Sequence, residues 1–276
     1  MLKQRTLTAL IIAPLAIAMI LWAPTAFVAA IIGVLCLLAQ WEWTRLAGVK
    51  STASRVGIVL ANAAAMVVLW RLREDAFAWW VIGGGLAWWM VALQWMRHLS
   101  YAAAPTLKNA LIKLVACEFA ILPAWLALMK LHGGANRGHA WALFVVMLVW
   151  AADTMAYFTG QRYGTTKLAP RLSPNKTTAG AWGALLGAGA IALIGAWLLD
   201  LRGVHFAAIV ALSLLTVIAS IAGDLFESLL KRQANVKDSG VLFPGHGGML
   251  DRFDSMFAAL PVFVAGKALF DLVFAS

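Results

Sequence analysis

Apolar runs that are long enough to cross a membrane recur along the whole chain, with only short polar breaks between them. Hydrophobic residues make up 63% of the chain and charged residues only 12%, which is about half the charged share of a typical soluble domain. Where water is absent, a segment must satisfy its own backbone hydrogen bonds, and an α-helix does so. The sequence therefore predicts an all-α polytopic membrane protein.

Hydropathy divides these runs into about nine transmembrane helices. The expected spans cover residues 7–23, 25–39, 56–70, 77–96, 110–129, 139–159, 180–199, 204–223 and 255–274. The first run follows Lys3 and Arg5 in the manner of a signal peptide. A second run comes directly after it, so we expect a helical hairpin that is retained in the protein.

The basic residues are distributed unevenly between the two sides that nine spans define. The side of the N-terminus receives 15 of the 22 Lys and Arg residues, the other side receives 5, and Lys113 and Lys267 lie within spans. Cytoplasmic loops carry the excess of Lys and Arg, so we expect the N-terminus in the cytoplasm and the C-terminus outside. The net charge of +10 is scattered over short loops, which argues against a nucleic-acid partner.

The acidic residues are concentrated in one part of the sequence. Five of the twelve fall within 31 consecutive positions: Asp224, Glu227, Asp238, Asp251 and Asp254. A sixth, Asp153, lies inside the sixth predicted span, where a carboxylate is costly and indicates a function. The loops 160–179 and 224–255 both fall on the predicted cytoplasmic side, so this charge-poor chain places its charged residues together.

The stretch GDLFESLLKR begins at Gly223, at the end of the eighth predicted span. If the helix continues, Asp224, Glu227, Ser228 and Lys231 fall at i, i+3, i+4 and i+7 and share one face. That face would offer two carboxylates, a hydroxyl and an ammonium group. The alternative is a solvated helix end whose charges only pair with each other.

The stretch FPGHGGMLDRFD, from Phe243 to Asp254, carries a different pattern. Its three glycines allow a tight backbone path with exposed N–H groups, which suits phosphate oxygens. Asp251 and Asp254 follow at i, i+3, where the ninth helix begins. Helix capping accounts for either aspartate alone but not for both with Arg252 between them. Because Mg²⁺ takes one or two carboxylates together with substrate phosphates, we expect Asp224 and Asp251 to supply them.

The stretch RLSPNKTTAG precedes the seventh predicted span. Ser173 followed by Pro174 predicts the N-cap and first residue of that helix. Lys176 and Thr177 would then lie in its first turn, where backbone N–H groups bind anions.

Together these stretches resemble the phosphatidate cytidylyltransferase family, also called the CDP-diacylglycerol synthases. The resemblance rests on S-L-L-K-R-x4-K-D-S-G-x3-P-G-H-G-G-x2-D-R-x-D, from Ser228 to Asp254, and on GDLFES, ADTMAYFTG and KLAPRLSPNKT before it. It covers roughly residues 150–260, whereas residues 1–140 resemble the family only as apolar helices. The chain departs from the family at Thr178 and Ala179, where many members carry Trp and then an acidic or amide residue.

The resemblance implies transfer of a cytidylyl group from CTP to phosphatidate, giving CDP-diacylglycerol and pyrophosphate, by a multi-pass protein of the cell (inner) membrane. The phosphate of phosphatidate is already anionic, so the protein needs mainly to position two polyanions and neutralise their charge. The expected partners are CTP, phosphatidate and the lipid bilayer, with a homodimer as a candidate assembly and no nucleic acid. Residues 139–276 would be the catalytic unit and residues 1–138 a set of about five N-terminal helices.

The expected roles follow from this reaction. Asp224 and Asp251 would hold Mg²⁺, Asp254 would support Asp251 or a second cation, and Lys231 completes the catalytic set. The expected substrate-binding residues are Ser173, Lys176, Thr177, Ser228, Arg232, Lys237, His246, Gly247, Gly248 and Arg252.

Two other functions fit parts of the pattern. A CTP-dependent kinase of polyprenol or phytol would use similar carboxylates and basic loops, although the family pattern argues against it. A cation-coupled transporter would use Asp153, Asp224 and Asp251 as an ion path, but such proteins carry broken helices in two related halves, which this sequence does not show. The lipid product and the release of pyrophosphate distinguish the three functions.

Overall fold

The computed structural model describes residues 2–240 and 247–274, with side chains over 12–240 and 247–273. This part of the chain forms nine helices and a two-stranded sheet. The helices are α1 Leu2–Trp22, α2 Thr25–Leu46, α3 Thr52–Arg71, α4 Phe77–Arg97, α5 Leu107–His132, α6 Gly138–Tyr163, α7 Thr178–Leu198, α8 Gly203–Gln233 and α9 Leu250–Phe274. The strands β1 Lys167–Ala169 and β2 Ser173–Thr177 lie between α6 and α7.

Eight of these helices are long and apolar enough to cross a membrane, and α1 adds a shorter apolar stretch, Ile12–Trp22. The prediction of an all-α polytopic membrane protein is therefore confirmed over the described residues. Helix α8 continues ten residues past its predicted span, to Gln233. This extension places GDLFESLLKR on a helix, so its four polar side chains share one face as expected.

The connections between the helices gather alternately at two ends of the bundle. The last turn of α8 donates side-chain hydrogen bonds to the carbonyl oxygens of Leu99, after α4 (2.9 Å), and Leu172, after α6 (3.1 Å). At the opposite end, Lys130 of α5 donates to the carbonyl oxygen of Arg73, after α3 (3.0 Å). The alternation matches the arrangement from which the Lys and Arg asymmetry was counted. The assignment of one end to the cytoplasm stays a prediction.

Helices α6 and α7 pack closely through small residues. A Cβ atom at Gly187 would lie 2.8 Å from the carbonyl oxygen of Ala151, and one at Gly183 would lie 2.8 Å from that of Met155. Real side chains do not approach backbone oxygen so closely, so glycine at these positions lets the two helix backbones meet. The G-x-x-x-G spacing of Gly183 and Gly187 in α7 therefore serves helix packing.

An aromatic cluster fixes the position of α8 against the N-terminal helices. Phe226 is buried, and its ring centroid lies 5.4 Å from that of Trp95, 5.7 Å from that of Trp88 and 6.0 Å from that of Trp89, all on α4. Trp43 of α2 closes the cluster at 6.2 Å. The three α4 contacts are edge-to-face, a favourable geometry for aromatic rings. This packing holds the turn of α8 that carries the acidic residues.

The predicted start of the seventh helix was wrong. Ser173 and Lys176 lie on β2, which pairs antiparallel with β1 so that Lys167 lies opposite Thr177. Thr177 is the actual N-cap of α7, and its Oγ1 accepts a hydrogen bond from the Gly180 N–H (3.1 Å). Both Ser173 and Thr177 are suitable caps by residue type. The cap falls at Thr177 because the backbone before it is extended in the strand pairing.

Candidate active site

Three carboxylates from two helices form an acidic cluster where α8 and α9 pack together. Asp224 and Glu227 of α8 and Asp254 of α9 each offer an oxygen atom that lies within 4.8 Å of the other two. The helices approach closely because Gly223 has no side chain, and a Cβ atom there would overlap the carbonyl oxygen of Asp254. Residue spacing on α8 and a glycine contact between helices thus build this cluster.

The acidic cluster fits a hard divalent cation. All its donor atoms are carboxylate oxygens, which Mg²⁺ prefers as protein ligands. Glu227 is only 2% exposed, and its Oε1 has no hydrogen-bond partner among the described residues. A buried carboxylate oxygen without a donor is costly, and neighbouring carboxylates repel each other. A cation between the three side chains would relieve both costs.

Lys176 reaches the acidic cluster from the hairpin formed by β1 and β2. Its ammonium group forms an ion pair with the carboxylate of Asp224. The expected juxtaposition of Lys176 with the α8 carboxylates is therefore present, although a strand and not a helix start supplies it. The hairpin places one cation on this side of the cluster.

Lys231 lies on the other side of the acidic cluster and binds two carboxylates. Its Nζ is 2.5 Å from Oε2 of Glu227 and 2.6 Å from Oδ1 of Asp251. The other oxygen of Asp251 accepts hydrogen bonds from the backbone N–H groups of Gly248 (2.8 Å) and Ser239 (3.0 Å). Asp251 therefore orients Lys231 and holds the backbone before α9 in this structure.

The described part of the glycine turn packs around the Asp251 carboxylate. Gly247 has a φ of +82°, a left-handed conformation that glycine adopts without strain. A Cβ atom there would also lie 2.9 Å from Oδ2 of Asp251. The N–H group of Gly248, which the sequence predicts to bind phosphate, donates a hydrogen bond to Asp251. The glycine turn thus positions a carboxylate, and its role in binding phosphate stays a prediction.

Three of the other predicted residues lie on the helix and the hairpin that supply this arrangement. The Nε of Arg232 donates to the carbonyl oxygen of Leu172 (3.1 Å), which ties the hairpin to α8. Ser228 is buried on α8 next to Glu227. Thr177 is also buried, where it caps α7.

The remaining predicted residues that the structure describes are partly or fully exposed. Lys237 is exposed after α8, Arg252 is exposed in the first turn of α9, and Ser173 is half-buried at the start of β2. His246 lies outside the described residues. The roles of all four in substrate binding stay predictions.

Sequence reasoning missed one acidic residue, Glu42 of α2. Its carboxylate is buried and accepts hydrogen bonds from Ser239 and from the first backbone N–H groups of α9. A signal was present, because Glu42 lies close to the end of an apolar run, as Asp153 lies within one. Asp153 itself is near enough to Asp224 and Lys176 for their charges to act on it.

Comparison with known proteins extends over almost the whole chain. A family model described as the cytidylyltransferase family matches residues 3–270. The phosphatidate cytidylyltransferase of Pseudomonas aeruginosa is 40% identical over 273 residues, which is 96% of this chain and 96% of that protein. The corresponding protein of Haemophilus influenzae is 34% identical over 290 residues, covering 95% and 97%. That of Staphylococcus epidermidis is 33% identical over 206 residues, covering 74% and 76%.

Proposed function

The chain belongs to the cytidylyltransferase family, and we propose that it transfers a cytidylyl group from CTP to phosphatidate. The products would be CDP-diacylglycerol and pyrophosphate. The observation that carries this proposal is the acidic cluster of Asp224, Glu227 and Asp254 with Lys176 and Lys231 on its two sides. Carboxylates that suit a metal ion, next to ammonium groups that suit phosphates, are what a reaction between two polyanions needs. The curated relatives carry the name of this activity.

In the proposed reaction a phosphate oxygen of phosphatidate forms a bond to the α-phosphorus of CTP. The bond from that phosphorus to the oxygen that bridges to the β-phosphate breaks, and pyrophosphate leaves with the electron pair. The attacking oxygen is already anionic, so no protein base is required. The contribution of the protein is positioning and neutralisation of charge, which the ionic groups around the acidic cluster supply.

A divalent cation such as Mg²⁺, when bound, would neutralise charge on the triphosphate oxygens. We propose that Asp224, Glu227 and Asp254 hold it, because their oxygens are within reach of a single ion. The sequence-predicted ligand pair was Asp224 and Asp251. Asp224 keeps that role, whereas one oxygen of Asp251 is paired with Lys231 and the other accepts backbone N–H groups. The role of Asp251 as a ligand therefore stays a prediction.

The basic residues would bind the phosphates from two directions. Lys176 and Lys231 lie against the acidic cluster, so each would sit between a carboxylate and a phosphate oxygen. Such charge-assisted contacts are stronger than neutral hydrogen bonds. Arg232, Lys237 and Arg252 would extend the positive charge outward, toward the leaving pyrophosphate.

The membrane setting fits a lipid substrate. Phosphatidate would enter from the bilayer, and CTP would enter from the end of the bundle where the hairpin and the α8–α9 connection meet. We propose that this end faces the cytoplasm and that the protein resides in the cell (inner) membrane. A homodimer stays a prediction, as does the division into N-terminal helices 1–138 and a catalytic unit 139–276.

The test is an assay of the purified protein in detergent with phosphatidate, Mg²⁺ and each of the four nucleoside triphosphates. We expect CDP-diacylglycerol and pyrophosphate from CTP, and no product once a chelator removes the divalent cation. A control replaces phosphatidate with diacylglycerol or a polyprenol. A lipid phosphate formed in that control would identify a kinase and contradict the proposal. Failure to release pyrophosphate under any of these conditions would contradict it as well.

A further inference from the structure

A carboxylate from the N-terminal helices reaches the segment that joins α8 to α9. Glu42, near the end of α2, is 6% exposed. Its Oε2 accepts hydrogen bonds from the Ser239 hydroxyl (2.8 Å) and the Leu250 N–H (2.9 Å). Its Oε1 accepts one from the Met249 N–H (3.1 Å). A single side chain therefore holds both described ends of this segment.

The same segment carries hydrogen-bond donors to the Asp251 carboxylate. The Ser239 hydroxyl lies 2.9 Å from Oδ2 of Asp251 as well as 2.8 Å from Glu42. A hydroxyl has one hydrogen atom, so it donates to one of the two carboxylates at a time. Arg45, one turn after Glu42, donates to the carbonyl oxygen of Ser239. Two residues of helix α2, Glu42 and Arg45, thus bind Ser239. Ser239 in turn contacts Asp251, which pairs with Lys231.

Glu42 also satisfies the beginning of α9. The first N–H groups of a helix have no partner within the helix, and a carboxylate there accepts their hydrogen bonds and complements the helix dipole. Most helices take this group from a residue just before their start. Here it comes from α2, at a separation of 208 residues from Leu250.

Two glycines in the segment leave space for the Glu42 carboxylate. A Cβ atom at Gly240 would overlap Oε1 of Glu42, and one at Gly248 would overlap Oε2. Neither glycine has the positive φ that would by itself require glycine. Close contact with Glu42 is therefore a physical reason for glycine at both positions.

From these contacts we infer that Glu42 is a positioning residue for the transfer reaction, acting on Asp251 and Lys231 through Ser239 and the start of α9. The inference rests on the proposed function, which gives Asp251 and Lys231 their role in the reaction. Glutamine at position 42 keeps the size of the side chain but replaces an acceptor oxygen with an NH₂ group. That group would face an N–H or O–H donor, so the segment would shift and carry Asp251 with it.

The first test compares Glu42→Gln with wild type in the assay for CDP-diacylglycerol. We expect kcat to fall at least tenfold, about 1.4 kcal/mol in the barrier, with a KM for CTP close to that of wild type and a thermal midpoint in detergent close to it. The matched control is Glu74→Gln, since the side chain of Glu74 is 70% exposed and pairs with Arg73 and Lys130 at the other end of the bundle. An unchanged kcat in Glu42→Gln would overturn the inference. So would a loss of activity no larger than the unfolded fraction.

A second test uses the glycine contact as a double-mutant cycle. Gly240→Ala should lower kcat in the wild-type background, because the described atoms nearest to its Cβ atom all belong to Glu42 and the methyl group displaces the carboxylate. In a Glu42→Ala background the same change should add little, since the clash is gone. Equal effects in both backgrounds would refute the contact. If the Glu42 variants cannot be recovered folded, Gly248→Ala and Gly240→Ala carry the test, and a normal kcat in both would overturn the inference.

The two proposals fail in different ways. A wild-type protein that forms a product other than CDP-diacylglycerol would contradict the proposed function, and the effect of Glu42→Gln on that other reaction would still test the positioning role. A wild-type protein that forms CDP-diacylglycerol, with an unaffected Glu42→Gln variant, would contradict the positioning role alone.

Discussion

The site brings charged side chains of both signs close together. Four carboxylates, those of Asp224, Glu227, Asp251 and Asp254, lie beside two ammonium groups, those of Lys176 and Lys231. With all of these groups ionised, the set has an excess of two negative charges, which one divalent cation would balance.

Replacing Asp224 should therefore abolish the reaction. Asp224→Asn keeps the shape of the side chain but removes one charge from the acidic cluster and from the partner of Lys176. We expect turnover to fall by at least ~100-fold, roughly 2.7 kcal/mol of barrier, while the protein still inserts into the membrane. Asp200→Asn is the matched control, because Asp200 is exposed at the other end of the bundle. A variant that keeps more than about a tenth of wild-type turnover, roughly 1.4 kcal/mol, would contradict the assignment of Asp224 to the metal.

Lys231 should affect both activity and stability. Lys231→Gln leaves two nearby carboxylates without their cation, and breaking a buried pair in this way costs about 3–5 kcal/mol. We expect a turnover loss of ~100-fold or more, together with a lower thermal midpoint in detergent.

A second substitution separates these two effects. In Lys231→Gln/Glu227→Gln one of the two uncompensated charges next to position 231 is removed, so the thermal midpoint should recover part of its loss. Turnover should stay low, since Glu227 is also a proposed metal ligand. Recovery of both properties would show that Lys231 serves the fold alone and that Glu227 is not required as a ligand. Arg202→Gln, at an exposed position on the other end of the bundle, should leave both properties unchanged.

Among the structural elements, α7 shows most directly how close packing supports the site. It begins at the hairpin that carries Lys176 and lies along α6 through Gly183 and Gly187. A displaced α7 would move the hairpin and, with it, the cation that faces Asp224. The packing of small residues within the membrane is therefore linked to charge placement at the end of the bundle.

Two glycines on α7 provide a matched test of this packing. A Cβ atom at Gly187 would lie 2.8 Å from a backbone oxygen of α6, whereas one at Gly189 would meet no atom of the described residues within 4 Å beyond its own helix backbone. We expect Gly187→Ala to destabilise the protein by roughly 1–3 kcal/mol. Gly189→Ala should be neutral or stabilising by up to about 1 kcal/mol, because alanine favours the helix. Thermal unfolding in the same detergent measures both variants, and equal midpoints would show that α6 and α7 do not pack as described.

The helices and the acidic cluster were accessible from the sequence, whereas the hairpin and the partners of Glu42 were not. Hydropathy over about twenty residues defines a span, and the spacing of Asp224 and Glu227 needs only the continuation of a helix. Strands of three and five residues give almost no periodic signal, and two candidate caps, Ser173 and Thr177, competed for one helix start. The contact of Glu42 with Leu250 joins residues 208 positions apart, and no local pattern specifies such a pairing.

The whole molecule has two ends that differ in charge, and that difference predicts its orientation. We predict that the end carrying the acidic cluster is cytoplasmic. Single cysteines at two exposed positions test this: Lys50→Cys, after α2, and Arg202→Cys, after α7. The native Cys36 and Cys117 are buried and should contribute little. A membrane-impermeant thiol reagent added to intact cells should label the protein at position 202 and not at position 50, and the opposite pattern would reverse the topology.

The two regions predicted from the sequence, residues 1–138 and 139–276, do not pack as separate bodies. Helix α5, before residue 138, packs against α9 as well as α2 and α4, and the aromatic cluster joins α8 to α2 and α4. One hydrophobic core therefore contains helices from both regions. The C-terminal stretches carry the resemblance to the family, and helices from the first half of the chain help to hold those stretches in place.

The contact between Glu42 and Ser239 has a consequence for biosynthesis. The two residues are 197 positions apart, so at roughly 5–20 residues per second the ribosome adds the second about 10–40 s after the first. During that interval α2 presents a carboxylate whose final partners have not been synthesised. The transferase centre thus assembles only after the last helix emerges, and a prematurely ended chain would leave in the bilayer a set of apolar helices with an unpaired charge for proteolysis to remove.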